Sequence, residues 1–241
     1  MSGRVELSRS TLQQPLPAVI APGRRPALLG VVECIEEDAG RCVCVGIDGR
    51  TAAGKTTVGH ELAVLLAERG RVVLRASLDD FKRPWAESHR YDRHSGEGYY
   101  RNAYDTDAIR ELLLLPARSG DGQVTLCSID PRTQLDHSAD RTPVPEDAVL
   151  IVDGVFALRP ELVDLWDLRI WIDIGADLSI ERGIRRDGVD HAAIHRGRYA
   201  VAEQIYIAAV GPAAAADLVL DNTHWLSPVL HQRHQERTNI R

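Results

Sequence analysis

The sequence predicts an α/β protein, since apolar runs suited to buried strands alternate along the chain with segments of helical periodicity. A chain of 241 residues that is 44% hydrophobic can bury one sizeable core, so we expect one main domain. The prediction depends most on residues 45–57, where an apolar run passes through a glycine-rich turn into a helix.

The glycine-rich turn fits the phosphate-binding loop pattern G-x-x-x-x-G-K-[ST]. Gly49 and Gly54 let backbone N–H groups point inward around a phosphate, in conformations that a Cβ would hinder. Lys55 supplies a positive charge for the β- and γ-phosphates, and the Thr56 hydroxyl can hold Mg²⁺. The nucleotide-binding residues predicted on this basis are Gly49, Arg50, Thr51, Ala52, Ala53, Gly54, Lys55, Thr56 and Thr57.

The other elements follow in order along the chain. Apolar runs predict strands at residues 41–47, 71–77, 149–154, 168–174 and 216–220. Residues 123–129 favour a further strand, half of a small hairpin at the sheet edge. Helical spacing of apolar residues predicts helices at residues 27–37, 54–69 and 108–115, the last two ended by Gly70 and Pro116.

The chain divides into three parts. Residues 1–40 combine a proline-bearing, loosely ordered arm with one amphipathic helix that we expect to pack on the core. Residues 41–226 form the main domain. Residues 227–241 are polar and predict a loose C-terminal tail.

Composition argues against several classes of protein. The formal net charge of −6 disfavours a broad basic surface for nucleic acid, although a small anionic substrate needs only local arginines. No run approaches the roughly 20 apolar residues of a membrane span, and the first residues lack a signal peptide's apolar stretch. The scattered cysteines predict buried, inert thiols, and in the absence of other targeting signals we expect a cytoplasmic protein.

Acidic residues follow two of the predicted strands. Asp79 and Asp80 come at the end of the strand over residues 71–77, and Asp153 ends a later apolar strand. The carboxyl ends of parallel strands line the ligand crevice, so these acids are candidates for catalysis. Beside a phosphate loop, Asp153 predicts the second part of a magnesium site that also uses Thr56.

The segment over residues 82–107 is long and rich in aromatic, glycine, arginine and histidine residues. Loops of this length in a compact domain are usually functional or mobile, and this composition suits a pocket that closes on a small polar molecule. A solvated insertion is the alternative. The candidate substrate contacts in this segment are Trp85, His94, Tyr99, Tyr100 and Arg101.

An arginine cluster follows the strand at residues 168–174. Arg182, Arg185 and Arg186 recur at helical spacings of three and four, so we expect them to project from one side of a helix. Arginines that face a nucleotide stabilise charge on a transferring phosphoryl group and often belong to a lid. A solvated basic face is the alternative, and residues 196 and 198 could extend the cluster.

An ordered set of motifs runs from about residue 41 to about residue 221. It comprises residues 49–57, 77–81, 103–105, 150–156 and 182–187, with Tyr206, Pro212, Ala216 and Asp217. This set resembles the uridine kinase family, and more distantly the phosphoribulokinases and pantothenate kinases. The phosphate loop alone is shared widely, and the spaced set is much more specific.

The resemblance implies a three-layer phosphate-loop NTPase fold with a five-stranded parallel core sheet, helices on both faces and a short arginine-bearing lid. It also implies ATP with Mg²⁺ and transfer of the γ-phosphoryl group to a hydroxyl. By position, Asp79 matches the acid that orients and deprotonates the acceptor hydroxyl, with Asp80 as a competitor. Asp153 stands where the family usually has a glutamate linked to Mg²⁺, and Arg182 and Arg186 match lid arginines.

Two departures concern the acceptor. Many uridine kinases have an acid that grips both ribose hydroxyls where this chain has residues 99–102, Tyr-Tyr-Arg-Asn. They place a tyrosine and a histidine beside the pyrimidine where this chain has residues 129–132, which makes Asp130 a further candidate substrate contact. The groups that read a nucleobase are therefore not evident.

Three functional hypotheses remain at this stage. The first is a kinase for a nucleoside such as uridine or cytidine, and the second is a kinase for another hydroxyl compound such as a sugar phosphate or a pantothenate-like acid. The third is a regulatory nucleotide-binding module without turnover. We expect a small-molecule hydroxyl acceptor as partner, with no nucleic acid and no membrane, and the sequence leaves a homo-oligomer open.

Overall fold

The computed structural model describes residues 3–37, 40–120 and 122–232. Its strands are β1 Arg4–Leu7, β2 Val43–Gly49, β3 Val72–Ser77, β4 Gln123–Val124, β5 Thr142–Pro143, β6 Val149–Asp153, β7 Leu168–Asp173, β8 Leu218–Asp221 and β9 Val229–Gln232. Seven of them form the main sheet, in the order β1-β3-β6-β2-β7-β8-β9, while β4 and β5 pair separately.

The main sheet is parallel except at one edge. The five predicted strands form its centre as β3, β6, β2, β7 and β8, while β1 adds a parallel strand beside β3 and β9 an antiparallel strand beside β8. The predicted fold class is confirmed, but the predicted number of strands, five, is wrong, because the main sheet has seven. Both additional strands are short edge strands in polar or proline-bearing surroundings, where pairing with the sheet rather than local propensity decides the structure.

Helices cover both faces of the sheet. They are α1 Arg25–Glu36, α2 Lys55–Glu68, α3 Gly96–Asn102, α4 Thr106–Ala108, α5 Leu115–Ser119, α6 Ala176–Asp187, α7 Ala192–Ile194, α8 Ala200–Val210 and α9 Pro212–Ala215. A π-helical segment, Ile109–Leu114, joins α4 to α5. Pro116 lies in the first turn of α5, where a missing N–H is tolerated, so the helical path continues beyond the predicted end.

Two cores lie on opposite faces of the sheet because side chains alternate along each strand. On β6, Leu150 and Val152 belong to one core, and Val149 and Ile151 belong to the other. The second core also holds the buried face of α1, so the predicted amphipathic helix packs on the main domain. The result is a three-layer arrangement with helices above and below the sheet.

The carboxyl ends of three neighbouring strands meet at one edge of the sheet. In the register of the sheet, Asp153 at the end of β6 pairs with Ile47 of β2 on one side and with Ser77 of β3 on the other. The phosphate loop follows β2, and Asp79 follows β3. The candidate residues from three separated segments are thereby brought to the same edge.

Three segments differ from the sequence-based expectations. The predicted strand at residues 123–129 is reduced to the two residues of β4, which pair with β5. The segment at residues 82–107 contains α3 and a short 3₁₀ turn, Trp85–Glu87, so it is not a structureless loop. The segment expected as a loose tail contains β9, and residues 233–241 lie outside the described residues.

No helix among the described residues combines the length and the apolar character that crossing a membrane requires.

Candidate active site

The phosphate loop between β2 and α2 has the backbone of an anion cradle. Positive φ angles occur at Gly49 (155°), Ala52 (57°) and Gly54 (95°), which turns the chain sharply before the helix. A Cβ on Gly49 would lie 2.6 Å from the carbonyl oxygen of Ile172, so only glycine fits there. The Lys55 ammonium donates a hydrogen bond to the carbonyl oxygen of Gly49 at 3.0 Å. The Lys55 side chain therefore folds back over the loop, where a phosphate would bind.

A buried carboxylate holds this loop to the rest of the site. Asp48 accepts hydrogen bonds from the backbone N–H of Gly49 at 2.6 Å and from the Tyr206 hydroxyl at 2.5 Å. It also accepts from the backbone N–H of Phe156 at 3.1 Å and of Leu158 at 2.9 Å. Burial raises the pKa of Asp48, and the hydrogen bonds from Tyr206, Leu158 and Gly49 oppose that rise. Asp48 thus joins the phosphate loop to α8 and to the turn after β6.

The two residues predicted to hold a metal are in direct contact. The Thr56 hydroxyl donates to Asp153 Oδ2 at 2.7 Å, while Asp153 Oδ1 lies 2.5 Å from a guanidinium nitrogen of Arg75. Arg75 is 1% exposed, so its charge is buried against this carboxylate. Hydroxyl and carboxylate oxygens are the ligands that Mg²⁺ prefers.

The described part of the chain holds no cluster of three or more histidine, cysteine, aspartate or glutamate side chains that could bind a metal ion. Mg²⁺ usually binds through one or two protein ligands and completes its shell with waters and substrate phosphates. The Thr56–Asp153 pair therefore fits Mg²⁺ that accompanies a nucleotide, and it does not fit an all-protein metal cage.

Asp79 lies in the short 3₁₀ turn that follows β3. Its Oδ1 accepts a hydrogen bond from the Tyr104 hydroxyl at 3.0 Å and forms an ion pair with the Lys82 ammonium at 2.8 Å. Burial would raise the pKa of Asp79, but the Lys82 ammonium and the Tyr104 hydroxyl hold the pKa below its usual value. Asp79 is therefore ionised at neutral pH.

Lys55 and Asp79 act on each other electrostatically. The Lys55 ammonium contributes to lowering the pKa of Asp79, and Asp79 is among the carboxylates that offset the burial of Lys55. The two groups belong to α2 and to the turn after β3, and both lie at the carboxyl edge of the sheet. The phosphate loop and the candidate acid thus face one shared region.

Asp80 is in a different environment from its neighbour. It is 1% exposed, and its Oδ2 accepts a hydrogen bond from the Ser8 hydroxyl of the N-terminal arm at 2.7 Å. Its Oδ1 is buried without a hydrogen-bond partner, and burial raises the pKa of Asp80 to about 7. A carboxyl group enclosed by the arm is poorly placed to meet a substrate, which favours Asp79 over Asp80 as the acid that orients the acceptor.

The three predicted lid arginines lie on α6 but have different partners. Arg182 donates to the backbone carbonyls of Asn222 and Thr223 at 3.1 and 2.8 Å, after β8. Arg185 is exposed and pairs with Glu181 on its own helix. Arg186 pairs with Asp187 and also acts on Asp79 electrostatically. The charge of Arg186 therefore acts on Asp79 as well as on Asp187.

The predicted acceptor contacts separate into two groups. Tyr99 and Tyr100 pack against Phe156 in the aromatic cluster behind Asp79, and the Tyr99 hydroxyl lies 3.2 Å from the Tyr104 hydroxyl. Trp85, His94 and Arg101 are exposed, and Arg101 pairs with Glu97 on the surface of α3.

Asp130 is occupied by other parts of the chain. Its oxygens accept from the backbone N–H groups of Thr11, Arg132 and Thr133 at 2.6, 2.9 and 2.8 Å. Burial opposes the shift, but these bonds lower the pKa of Asp130 well below its usual range. This carboxylate fastens the N-terminal arm to the turn over residues 131–134, and the geometry supports a structural role for it.

Sequence reasoning missed several residues that complete the site. Tyr104 lies within the motif at residues 103–105 but was not assigned a role, and Lys82 directly follows the motif at residues 77–81, so inspection of these motifs could have found both. Arg75 offered one signal, a charge inside an apolar strand. Glu203 of α8 offered none, and it accepts from the backbone N–H of Thr51 at 2.6 Å.

A separate cavity of about 330 Å³ lies beside β1, at the outer edge of the sheet. Arg4, Ser8, Cys127 and Arg141 are among its lining residues, whereas Lys55 and Asp79 are not. Because the phosphate loop has no part in it, this cavity is distinct from the candidate active site.

Comparison with known families gives a match over most of the chain. Residues 44–216 match the Phosphoribulokinase / Uridine kinase family. This range runs from the second residue of β2 to just beyond α9, and so includes the phosphate loop, Asp79, Asp153 and the arginines of α6.

Individual relatives agree with this match. A uridine kinase of Halobacterium salinarum is 29% identical over 149 residues, which is 61% of this chain and 63% of the relative, so less than two thirds of that protein is spanned. A uridine kinase of Alkaliphilus metalliredigens is 28% identical over 72% of this chain and 79% of its own. A solved structure from Bacillus stearothermophilus, described as a possible uridine kinase, has a TM-score of 0.64 at 24% identity, over 81% of this chain and 97% of its own, which supports the fold.

Proposed function

Because the chain belongs to the phosphoribulokinase/uridine kinase family, we propose that it transfers the γ-phosphoryl group of ATP to a hydroxyl of a small metabolite. The observation that carries the proposal is the sheet register, which brings the phosphate loop after β2 and Asp79 after β3 to the same edge of the sheet, on either side of Asp153. A kinase needs a phosphate cradle and an acceptor-orienting group on opposite sides of the transferred phosphoryl group. The phosphate loop and Asp79 supply one group of each kind.

The phosphate side of the reaction uses the loop between β2 and α2. Its backbone N–H groups and the N-terminal end of α2 favour bound phosphate, and Lys55 would exchange its contacts with Gly49 and Arg50 for phosphate oxygens. Thr56 and Asp153 would hold Mg²⁺, which when bound neutralises charge on the phosphates. Arg75 keeps one oxygen of Asp153 fixed.

The acceptor side of the reaction uses Asp79. Its carboxylate would accept a hydrogen bond from the acceptor hydroxyl and so align the oxygen with the γ-phosphorus. The new O–P bond forms as the bond between the β- and γ-phosphates breaks, and the hydroxyl proton passes toward Asp79 and then to water. Because the pKa of Asp79 is held low, this carboxylate is a weak base, and orientation is its main contribution.

Two classes of phosphate acceptor are candidates for this site. A nucleoside such as uridine or cytidine is supported by the relatives, which are uridine kinases. A non-nucleoside hydroxyl compound is supported by Asp130, because both oxygens of this predicted substrate contact are taken up by backbone N–H groups, at the position where uridine kinases place residues beside the pyrimidine. The third hypothesis is a nucleotide-binding module without turnover. The joint presence of Lys55, Asp79 and Asp153 argues against it.

A transfer assay tests the proposal. The protein would be incubated with Mg²⁺, γ-³²P-labelled ATP and a panel of nucleosides, sugars, sugar phosphates and hydroxy acids. We expect label in one acceptor class, together with acceptor-dependent release of ADP. The absence of label from every compound, with ATP bound and no acceptor-dependent release of ADP, would favour the regulatory module. The expectations of a cytoplasmic protein that binds neither nucleic acid nor membrane stay predictions.

A further inference from the structure

Arg75 is a charged side chain within the buried strand β3, and it is 1% exposed. Every nitrogen of its guanidinium has a partner. Nη2 contacts Asp153 Oδ1 at 2.5 Å, and Nη1 donates to the backbone carbonyls of Ile151 at 2.6 Å and Ala76 at 3.2 Å. Nε donates to Nδ1 of His60 on α2 at 3.3 Å. Asp153 and His60 are therefore the two side chains that fix the direction of this guanidinium.

The helix α2 leaves room for the guanidinium at Gly59. A Cβ on Gly59 would lie 2.7 Å from Nη2 and 2.8 Å from Cζ of Arg75, so a larger residue would displace the arginine or the helix. Glycine inside a helix costs about 1 kcal/mol relative to alanine, and Gly59 lies within α2. The close approach of Arg75 accounts for the glycine. We call Gly59 and His60 together the arginine seat.

His60 meets Arg75 as a neutral ring. A guanidinium can only donate hydrogen bonds, so Nδ1 of His60 accepts, and a protonated histidine has no ring nitrogen that can accept. Burial and the charge of Arg75 both lower the pKa of His60, to about 4, which agrees with this geometry. The side chain is 2% exposed, so solvent has little access to the contact.

The N-terminal arm covers the other side of the ring. The Gln13 carboxamide lies 3.1 Å from Nε2 of His60, and its oxygen lies 3.0 Å from the Ser8 hydroxyl. Ser8 in turn donates to Asp80 at 2.7 Å. Each ring nitrogen of His60 thus has a hydrogen-bonding neighbour, Arg75 on the β3 side and Gln13 on the arm side. A rotation of the ring away from Arg75 would break both contacts.

The direction of Arg75 decides which oxygen of Asp153 faces the phosphate loop. Arg75 takes Oδ1, whereas Oδ2 accepts from the Thr56 hydroxyl at 2.7 Å. Oδ2 is thus the oxygen on the side of the predicted metal site. If the guanidinium turned, Oδ1 would lose its partner, and the carboxylate would be free to rotate.

Stability alone does not account for this set of residues. A buried ion pair is often no more stable than well-packed apolar residues of similar volume, because desolvation offsets the attraction. An apolar residue at position 75 would suit a buried strand, and alanine at position 59 would suit a helix. Gly59, His60 and Arg75 instead meet at one guanidinium that contacts Asp153, which is the arrangement expected of positioning residues.

We propose that His60, seated with Gly59 against Arg75, is a positioning residue for Mg²⁺ binding, because it fixes the guanidinium that holds the Asp153 carboxylate toward Thr56. This inference rests on the proposed function, since it concerns the metal site of the same reaction. Removal of a group that orients a metal ligand commonly lowers metal affinity about 10- to 100-fold. His60 acts through one further side chain, so we expect an effect at the lower end of that range.

The metal affinity of the nucleotide complex tests the inference. Mn²⁺, which favours the same oxygen ligands as Mg²⁺, would be titrated into the protein with bound ADP, and free Mn²⁺ would be measured by EPR. The variants are His60→Leu, which has no acceptor, His60→Asn, whose amide oxygen can replace Nδ1, and Gly59→Ala. His231→Leu is the matched control on an exposed histidine of β9. Metal-free ADP affinity, melting temperature and the Mg²⁺ dependence of phosphoryl transfer would be measured for each.

In His60→Leu, the dissociation constant for Mn²⁺ and the Mg²⁺ concentration for half-maximal transfer should both rise about 10-fold, with metal-free ADP affinity nearly unchanged. His60→Asn should recover most of the loss, and His231→Leu should match wild type. Gly59→Ala should weaken Mn²⁺ binding although alanine favours the helix. This variant removes no buried polar group, so it decides the question even where His60→Leu does not fold. In an Arg75→Met background, His60→Leu should add less than about 2-fold, because its effect passes through Arg75.

The outcomes separate a positioning role from a structural one. A structural role alone would lower the melting temperature and leave the Mn²⁺ affinity of the folded protein at the wild-type value, which would overturn the inference. Equal losses in His60→Asn and His60→Leu would also overturn it, since the acceptor atom would then not matter. If Gly59→Ala binds Mn²⁺ like wild type, the guanidinium does not depend on the seat and the inference is wrong.

The same measurements separate this inference from the proposed function. Mn²⁺ binding that depends on His60, without phosphoryl transfer to any compound, would support the inference and contradict the kinase. Phosphoryl transfer with the same Mg²⁺ dependence in wild type and in every His60 variant would overturn the inference and leave the kinase intact.

Discussion

The two ends of the site are built in different ways. At the phosphate end, one continuous stretch of chain supplies the loop, and every charged group has partners: Asp48 accepts from four donors, and Asp153 is bound by Thr56 and Arg75. At the acceptor end, Asp79 meets the side chains of Tyr104 and Lys82, which belong to separate segments.

This difference teaches which part of the site is shared and which part is particular to the chain. A cradle made of backbone N–H groups binds phosphate whatever lies beyond it, so it serves many phosphate-loop proteins equally. The acceptor end depends on individual side chains that tertiary folding brings together around Asp79. Variants at the two ends should therefore differ in what they change.

The largest effect is expected at the phosphate end. Lys55→Ala should lower kcat/KM for ATP about 10³- to 10⁵-fold, because phosphate binding and charge stabilisation during transfer are lost together. Steady-state kinetics and nucleotide binding by calorimetry would measure the two losses. Unchanged kinetics in this variant would remove Lys55 from the site and contradict the assignment of the phosphate end.

Substitution at the acceptor end should separate binding from chemistry. Asp79→Asn should lower kcat roughly 10²- to 10⁴-fold while nucleotide affinity stays nearly unchanged, since the amide cannot orient and deprotonate the acceptor in the same way. Asp107→Asn, an exposed acid on α4, serves as the control and should match wild type. Wild-type turnover in Asp79→Asn would show that the acceptor binds elsewhere.

The buried ion pair at the phosphate end should show mainly in stability. Arg75→Met leaves the Asp153 carboxylate buried without its partner, which should lower the free energy of unfolding by about 3 kcal/mol. Arg71→Met is a matched change on a more exposed arginine and should cost less than about 1 kcal/mol. Urea unfolding would measure both. Equal losses in the two variants would argue against a structural pairing of Arg75 with Asp153.

The smallest effect is expected at Asp80, through pH. Because the pKa of Asp80 is raised to about 7, the native state keeps a proton that the unfolded chain releases near pH 4. The contribution of Asp80 to stability is thus present below about pH 4 and is lost as the pH rises to about 7.

Asp80→Asn removes this dependence, so the variant should melt about 5 °C above wild type at pH 8, with a difference that shrinks toward pH 4. Differential scanning calorimetry at several pH values would measure it. A difference that stays constant with pH would mean that the buried carboxyl group titrates normally.

The phosphate loop itself could be predicted from the sequence, because its residues are contiguous and their spacing is set by backbone geometry, whereas Arg75 and Glu203, which contact Asp153 and Thr51 from other segments, could not. The five central strands were predictable for a similar reason, since each is a continuous apolar run. The edge strands β1 and β9 were not, because their pairing depends on the sheet beside them. At the acceptor end, Asp79 was identifiable from its position after a strand, but its contacts with Tyr104 and Lys82 depend on tertiary folding.

A crystal structure of the protein with Mg²⁺, a non-transferable ATP analogue and a hydroxyl compound that accepts label tests the central claim most directly. The account predicts the γ-phosphate beside the Lys55 ammonium, and the acceptor hydroxyl within about 2.6–3.2 Å of the Asp79 carboxylate. An acceptor bound instead in the cavity beside β1, among Arg4, Ser8 and Arg141, would contradict it.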